Sequence, residues 1–251
     1  MATCCGSSSA SSSGNRRGTG PWLPTAAMSL SNVLTQTFVC PDGHKLDCVP
    51  VFLVKAFKVL HAQYLQSDGL FRREGNAQRM KLYPPPFYGD RAIPEAWSEH
   101  DICTAVKRFF REISSPLFAG LQIRRKATLE LCHVLPPRHQ DALAFLMRQL
   151  EIICDDRRGK RTANETSQLA SDESIVNRMD SESMAKVFAP TLFRDVAGTS
   201  AAVLLSSAQN RTAANNPTNM LTLKHELQQK TKLVQMLIEN ARRIFCYGLL
   251  Y

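Results

Sequence analysis

One short segment carries the residue types from which recognisable chemistry could be built. It is GLFRREG, Gly69 to Gly75, where two glycines bracket an apolar pair, Leu70-Phe71, followed at once by Arg72. Such a loop can bury its base in a core and project a single guanidinium outward. That group never loses its proton and donates in a planar fork, so it suits an anion with several oxygens. Taken in isolation, a Phe-Arg pair reads as a surface arginine beside a buried ring. A second set of cations lies further on: Thr104, Lys107 and Arg111 are separated by three and four residues, which places them on one helical face. Taken alone, that face reads as a solvated basic stripe.

Other chemistries are absent from the sequence. There is no G-x-x-x-x-G-K-[ST] phosphate loop, G-x-S-x-G elbow, H-E-x-x-H or dinucleotide fingerprint. The six histidines form no local pair, and Cys40, His44 and Cys48 match no common zinc spacing and lack a fourth ligand. No metal and no cofactor is expected. The eight cysteines include no C-x-x-C and read as free thiols of a reducing compartment. The start MATCCGSSSASSSG has neither the basic nor the apolar part of a secretory signal, and no apolar run reaches bilayer length. A cytoplasmic protein is expected. The basic cluster Arg157-Arg158-Gly159-Lys160-Arg161 raises nuclear import as an alternative.

Composition bounds the rest. Hydrophobic residues at 44% and charged residues at 21% are those of a globular chain of one domain with tails, or two small ones. The net charge of +9 favours a polyanionic partner: nucleic acid, an acidic membrane face, or a nucleotide held by another protein.

The elements that must position the loop are mostly helices. Residues 1–27 are Ser- and Gly-rich and read as a disordered tail, 28–246 as one all-α domain, and 247–251 as the C-terminal end. After Pro50, Leu53, Phe57, Leu60 and Tyr64 share a face, and the helix should stop near Ser67-Asp68-Gly69. A short helix over Ala77 to Leu82 runs into Pro84-Pro85-Pro86. Next, Ser98 and Asp101 form a capping box ahead of the stripe Ile102, Val106, Phe109, Phe110 and Ile113. Three further helices are predicted: Gln140 to Cys154, Ser174 to Phe188, and Leu223 to Phe245 with Leu227 facing inward. Asp155–Glu173 and Asp195–Asn219 read as exposed loops, and no alternating strand of useful length is apparent.

Three segments in order, GLFRREGNAQRMK, DICTAVKRFFREISSPLF and NRMDSESMAKVFAPTLF, resemble the finger loop and two helix motifs of the Rho GTPase-activating (RhoGAP) family. The likeness spans about residues 36 to 245. VPVFLVKA, RKATLEL, N-R-M-D-S and LVQMLIENA look closest to the subgroup acting on Rho in cell division. The resemblance implies an all-α RhoGAP-like domain that binds a GTP-loaded Rho-family small GTPase, Rho favoured over Rac, and stimulates hydrolysis without being an enzyme itself. It carries the arginine-finger role to Arg72, on a loop formed by Gly69 and Phe71. Lys107 is then expected to meet the GTPase and Arg111 to brace the finger loop. Asn177 would cap or orient its helix, and Pro116 and Pro190 would fix loop exits.

Departures from the family pattern are also present. Ser183 stands where an Asn usually bonds the GTPase, Thr191 replaces a second Asn, and Ile113-Ser114 replaces Leu-Pro. Pro84–Pro86 interrupt a stretch that relatives continue as helix, and Asp155–Glu173 is long. These departures motivate an alternative, a non-catalytic binding module for Rho-family GTPases. Nucleic-acid or membrane binding ranks last, because no aromatic–basic interleaving accompanies the charge.

Overall fold

A computed structural model describes residues 28–83, 87, 89–118, 135–165, 179–194 and 217–246. Among these, seven α-helices surround one apolar core: α1 Val51–Gln63, α2 Ala77–Lys81, α3 Glu99–Glu112, α4 Pro137–Glu165, α5 Ser181–Leu192, α6 Pro217–Glu239 and α7 Ala241–Cys246. The helical class agrees with the sequence, with one addition. Strands β1 Thr35–Val39 and β2 Lys45–Pro50 form an antiparallel hairpin in the register Thr35↔Pro50, Gln36↔Val49, Phe38↔Leu46 and Val39↔Lys45. Its turn is built by Pro41-Asp42-Gly43: Gly43 has φ 84°, and the Cys40 amide donates to the His44 carbonyl at 2.8 Å. The Cys40–His44 spacing thus belongs to a hairpin turn. The Asp141 carboxylate accepts from the Cys48 amide at 2.8 Å and ties β2 to α4.

Helix α1 begins directly after Pro50 and buries Leu53, Phe57 and Leu60 on the expected face. Helix α3 carries the complete capping box at Ser98 and Asp101. Its stripe of Ile102, Val106, Phe109, Phe110 and Ile113 is wholly buried. Each such side chain contributes about 1.5–3 kcal/mol of transfer free energy. The far end of α3 is held twice. Met28 exchanges backbone hydrogen bonds with Glu112 and Ser114, and the Arg194 guanidinium donates to the carbonyls of Arg111 and Ile113. Within the described residues, no helix is long and apolar enough to cross a membrane.

Several expected boundaries move. Helix α4 runs on to Glu165, so the first part of Asp155–Glu173 is helical rather than loop. The amphipathic stripe ends at Cys154, but no breaker follows until Gly159, and one glycine costs a helix only about 1 kcal/mol. Helix α5 starts at Ser181, not Ser174, because the Asp180 carboxylate accepts from the Ser183 amide and caps the helix there. Residues 174–178, including Ile175, lie outside the described set. Pro190 sits inside α5, with its ring exposed, rather than at a loop exit. The last predicted helix is two. Asn240 interrupts it, and its side-chain amide donates to the Met236 carbonyl at 3.0 Å. Leu227 is exposed, not inward. Residues 217–219, read as loop, begin α6.

Candidate functional site

The loop between α1 and α2 is anchored from below by its own apolar pair. Leu70 and Phe71 are both fully buried, and the Phe71 ring packs against Phe188 of α5 at 5.1 Å and Phe57 of α1 at 6.0 Å between centroids. Phe71 also has φ 63°. This is the left-handed region, which bulky L-residues avoid at a cost on the order of 1–2 kcal/mol. Burial of the ring, about 2–3 kcal/mol, offsets it. The preceding turn closes through the Arg72 and Arg73 amides, which donate to the Gly69 carbonyl at 3.0 and 3.1 Å. Gly69 itself has φ 70°, and a Cβ there would crowd the Arg73 side chain at 3.3 Å.

The loop's exit is pressed onto the first turn of α3. A Cβ on Gly75 would come within 2.6 Å of the Asp101 Cα, so only glycine fits. Two amides then find side-chain acceptors: Gly75 donates to Thr104 Oγ1 at 2.8 Å and Asn76 to Asp101 Oδ1 at 2.6 Å. Asp101 Oδ2 also accepts from the Ser98 amide at 2.9 Å and from Arg79 Nε at 2.5 Å. Burial acts to raise this carboxyl, but the Arg79 hydrogen bond and charge and the two amides outweigh it and hold the group low.

The cations of the region are disposed differently. Lys107 is 5% exposed. Its ammonium donates to the Phe71 carbonyl at 2.9 Å and to Glu74 Oε1 at 2.5 Å, while Thr104 Oγ1 donates to Glu74 Oε2 at 3.1 Å. Burial would raise the Glu74 carboxyl, but Lys107, helped by Thr104 and the charge of Arg111, lowers it overall. Arg73 pairs with Asp68 at 2.7 Å. Arg72 is exposed, and its guanidinium has no hydrogen bond or ion pair among the described residues. Cys103, packed beneath the loop, is fully buried and pushed up to about 12 by burial, so it stays a thiol.

The structure therefore brings Gly69, Phe71, Arg72, Lys107 and Arg111 together. In the free domain Lys107, rather than Arg111, hydrogen-bonds this loop: its stem is buried and both bonds it makes are to the loop. Arg111 is exposed and without a hydrogen bond to the loop. Ser183 lies in the first turn of α5 with its amide satisfied by Asp180. Asn177 falls outside the described residues. Glu74 and the second use of Asp101 were not anticipated. The only signals were an acidic residue inside a basic loop and a capping-box carboxylate with a spare oxygen.

A helical domain holding one exposed, unengaged arginine on a strained loop is the form these elements define. The RhoGAP domain family model matches residues 50–197, and the chain belongs to that family. Similar proteins include the WW domain-containing protein tag-325 of Caenorhabditis elegans, 27% identical over 228 residues that cover 80% of this chain and 25% of that protein. Human Rho GTPase-activating protein 11A is 28% identical over 181 residues, covering 66% of this chain and 15% of that protein. This chain thus spans a quarter or less of the length of these two relatives. Among solved structures, the BH domain from GRAF, the GTPase regulator associated with focal adhesion kinase, has a TM-score of 0.54 at 20% identity. That alignment covers 78% of this chain and 93% of that one. Human Rho GTPase activating protein 15 has a TM-score of 0.53 at 22% identity, with 78% and 84% coverage. Both share the fold.

Proposed function

We propose that the domain is a GTPase activator: it docks on a GTP-loaded Rho-family small GTPase, Rho in preference to Rac, and sets the Arg72 guanidinium beside the nucleotide. In GTP hydrolysis, negative charge spreads over the transferred phosphoryl group and the leaving oxygen. A guanidinium delivered from outside neutralises that charge through two oxygens at once, which a lysine's point charge cannot do. The catalytic contribution is made to the partner's reaction. Exposure of Arg72, with no competing carboxylate among the described residues while Arg73 and Arg79 are each paired, is the observation that carries this reading.

Phosphate release from GTP-loaded Rho-family proteins, with and without the domain, tests it. Acceleration is expected, and Arg72→Ala should lower it about 10³-fold or more. A variant that keeps the wild-type rate removes Arg72 from the role. Comparing Rho with Rac in the same assay tests the preference. The shorter Ser183 side chain, in place of an Asn, favours one other reading: capture of the GTP form with no change in its hydrolysis rate.

A further inference from the structure

Residues 34–39, LTQTFV, contain no charge, proline or glycine, and Thr35, Thr37, Phe38 and Val39 all favour a strand. Among the described residues β1 pairs with β2 alone, so its other side is an edge. The ladder fixes which groups lie on that edge. The Leu34 carbonyl accepts from the Val51 amide at 3.0 Å and the Cys40 amide donates to the His44 carbonyl at 2.8 Å, both across the hairpin. With a period of two, Gln36 and Phe38 turn their backbone groups the same way, and the amides and carbonyls of Thr35, Thr37 and Val39 point outward. None of these has a partner among the described residues. β1 is also evenly extended, because the extra residue of the bulge lies between Leu46 and Val49, in β2. The opposite edge of the sheet is closed: the Cys48 amide donates to Asp141, and Pro50 has no N–H. Open edges are ordinarily guarded by a lysine, a proline or a bulge, and β1 has none of them. Two apolar side chains stand in water there instead, Leu34 at 45% and Val39 at 62% exposure.

We propose that β1 is the contact through which two copies of this chain associate, antiparallel about a two-fold axis at Thr37. In that register Thr37 faces Thr37 of the second copy and Thr35 faces its Val39, and each pair exchanges both backbone hydrogen bonds. The occupant is a second copy because the edge is complementary to itself. It has no charge with which to select an acidic or a basic peptide, and Lys45, opposite Val39, is balanced by Asp47 at 3.0 Å. Two chains of net charge +9 therefore meet here without bringing like charges into contact. Six residues a side bury less than the roughly 1,200 Å² of a stable interface, so the dimer is weak and reversible. The rings from Phe38 through Phe145 and Phe57 to Phe71 lie between the hairpin and the finger loop, so pairing leaves both loops open. The inference does not rest on the function proposed above.

Sedimentation equilibrium of the full chain tests it. The average mass should rise from that of one chain towards that of two between about 10 µM and 1 mM, and stop there because each sheet has a single open edge. Thr37→Lys and Thr37→Glu each set like charges across the axis and should weaken association about tenfold or more. Thr37 is exposed, so the melting temperature of either variant should move by less than about 2 °C. An equimolar mixture of the two variants should associate again, because opposite charges then meet. Amide exchange at Thr35, Thr37 and Val39 should slow about twofold or more over the same concentration range, with Gln36 and Phe38 unchanged. The mass of one chain throughout, or a mass above that of two, overturns the proposal. So does a dimer that both variants leave intact, or a mixture that fails to recover. Protection of those amides at every concentration overturns it as well, since another segment of the chain then covers the edge.

Discussion

Gly75 shows how narrowly the loop is fitted. The nearest atoms to a hypothetical Cβ are the Cα, Oδ1 and amide nitrogen of Asp101, at 2.6, 2.6 and 2.9 Å. Two of these are backbone atoms of a capped helix and cannot rotate aside. Gly75→Ala must push the loop off α3, stretching the Gly75–Thr104 and Asn76–Asp101 hydrogen bonds together. A loss of about 1–3 kcal/mol is expected, read as a lowered melting temperature. On the function proposed above, GTPase activation should fall with it. At this scale the sequence was legible where chemistry is local. Arg72, the paired glycines and the buried Phe71 all follow from adjacent residue types. The roles of Glu74 and Lys107 were not legible, because their partners lie 30 to 36 positions away and either side chain could have faced water.

Asp101 links the helix that carries it to the loop and to α2. One carboxylate satisfies the Ser98 amide of the capping box, the Asn76 amide and the Arg79 guanidinium, with its side chain wholly inaccessible. Its folded-state pKa lies below the unfolded value, so its stabilisation is present above about pH 4 and is lost as pH falls through the lower folded value. Asp101→Asn keeps the shape but removes the charge. It should destabilise the domain by about 2 kcal/mol at neutral pH, with Arg79 still partly solvated, and flatten the acid limb of the stability curve. Denaturant unfolding at several pH values checks both. The start of α3 could be read from spacing because a capping box is a four-residue pattern, Ser98 to Asp101. The hairpin could not be read the same way. Its strands are five and six residues long, and burial does not alternate cleanly along β2, where Val49 and Pro50 are both buried. Its turn, Pro41-Asp42-Gly43, was the better signal.

Across the molecule, aromatic rings connect the loop to the opposite side. Phe71 meets Phe57, Phe57 meets Phe145 at 5.8 Å, and Phe145 meets Phe38 of the hairpin at 4.9 Å. Phe57 is the link between helix α1 and both neighbours, so a change there is felt at each end. Phe57→Leu conserves apolar character but leaves the planar gaps unfilled, a loss of about 1–2 kcal/mol. The melting temperature should drop by about 3–6 °C for a domain of this size. Calorimetry on the full chain measures it. The helical class and the main core stripes were legible because they depend on periodicity. The hairpin's place on α4 and the end of α4 itself depend on packing that periodicity does not encode.

The heptad Gly69–Gly75 owes its shape to matter outside itself. The carboxylate that clasps its exit, the ammonium that grips its crest and the rings that seat its base all come from other helices. Excised as a peptide, or spliced into an unrelated turn, the seven residues would keep their guanidinium and forfeit its bearing. What could be transplanted is the socket and the loop as a pair, with α3 as the part that must travel.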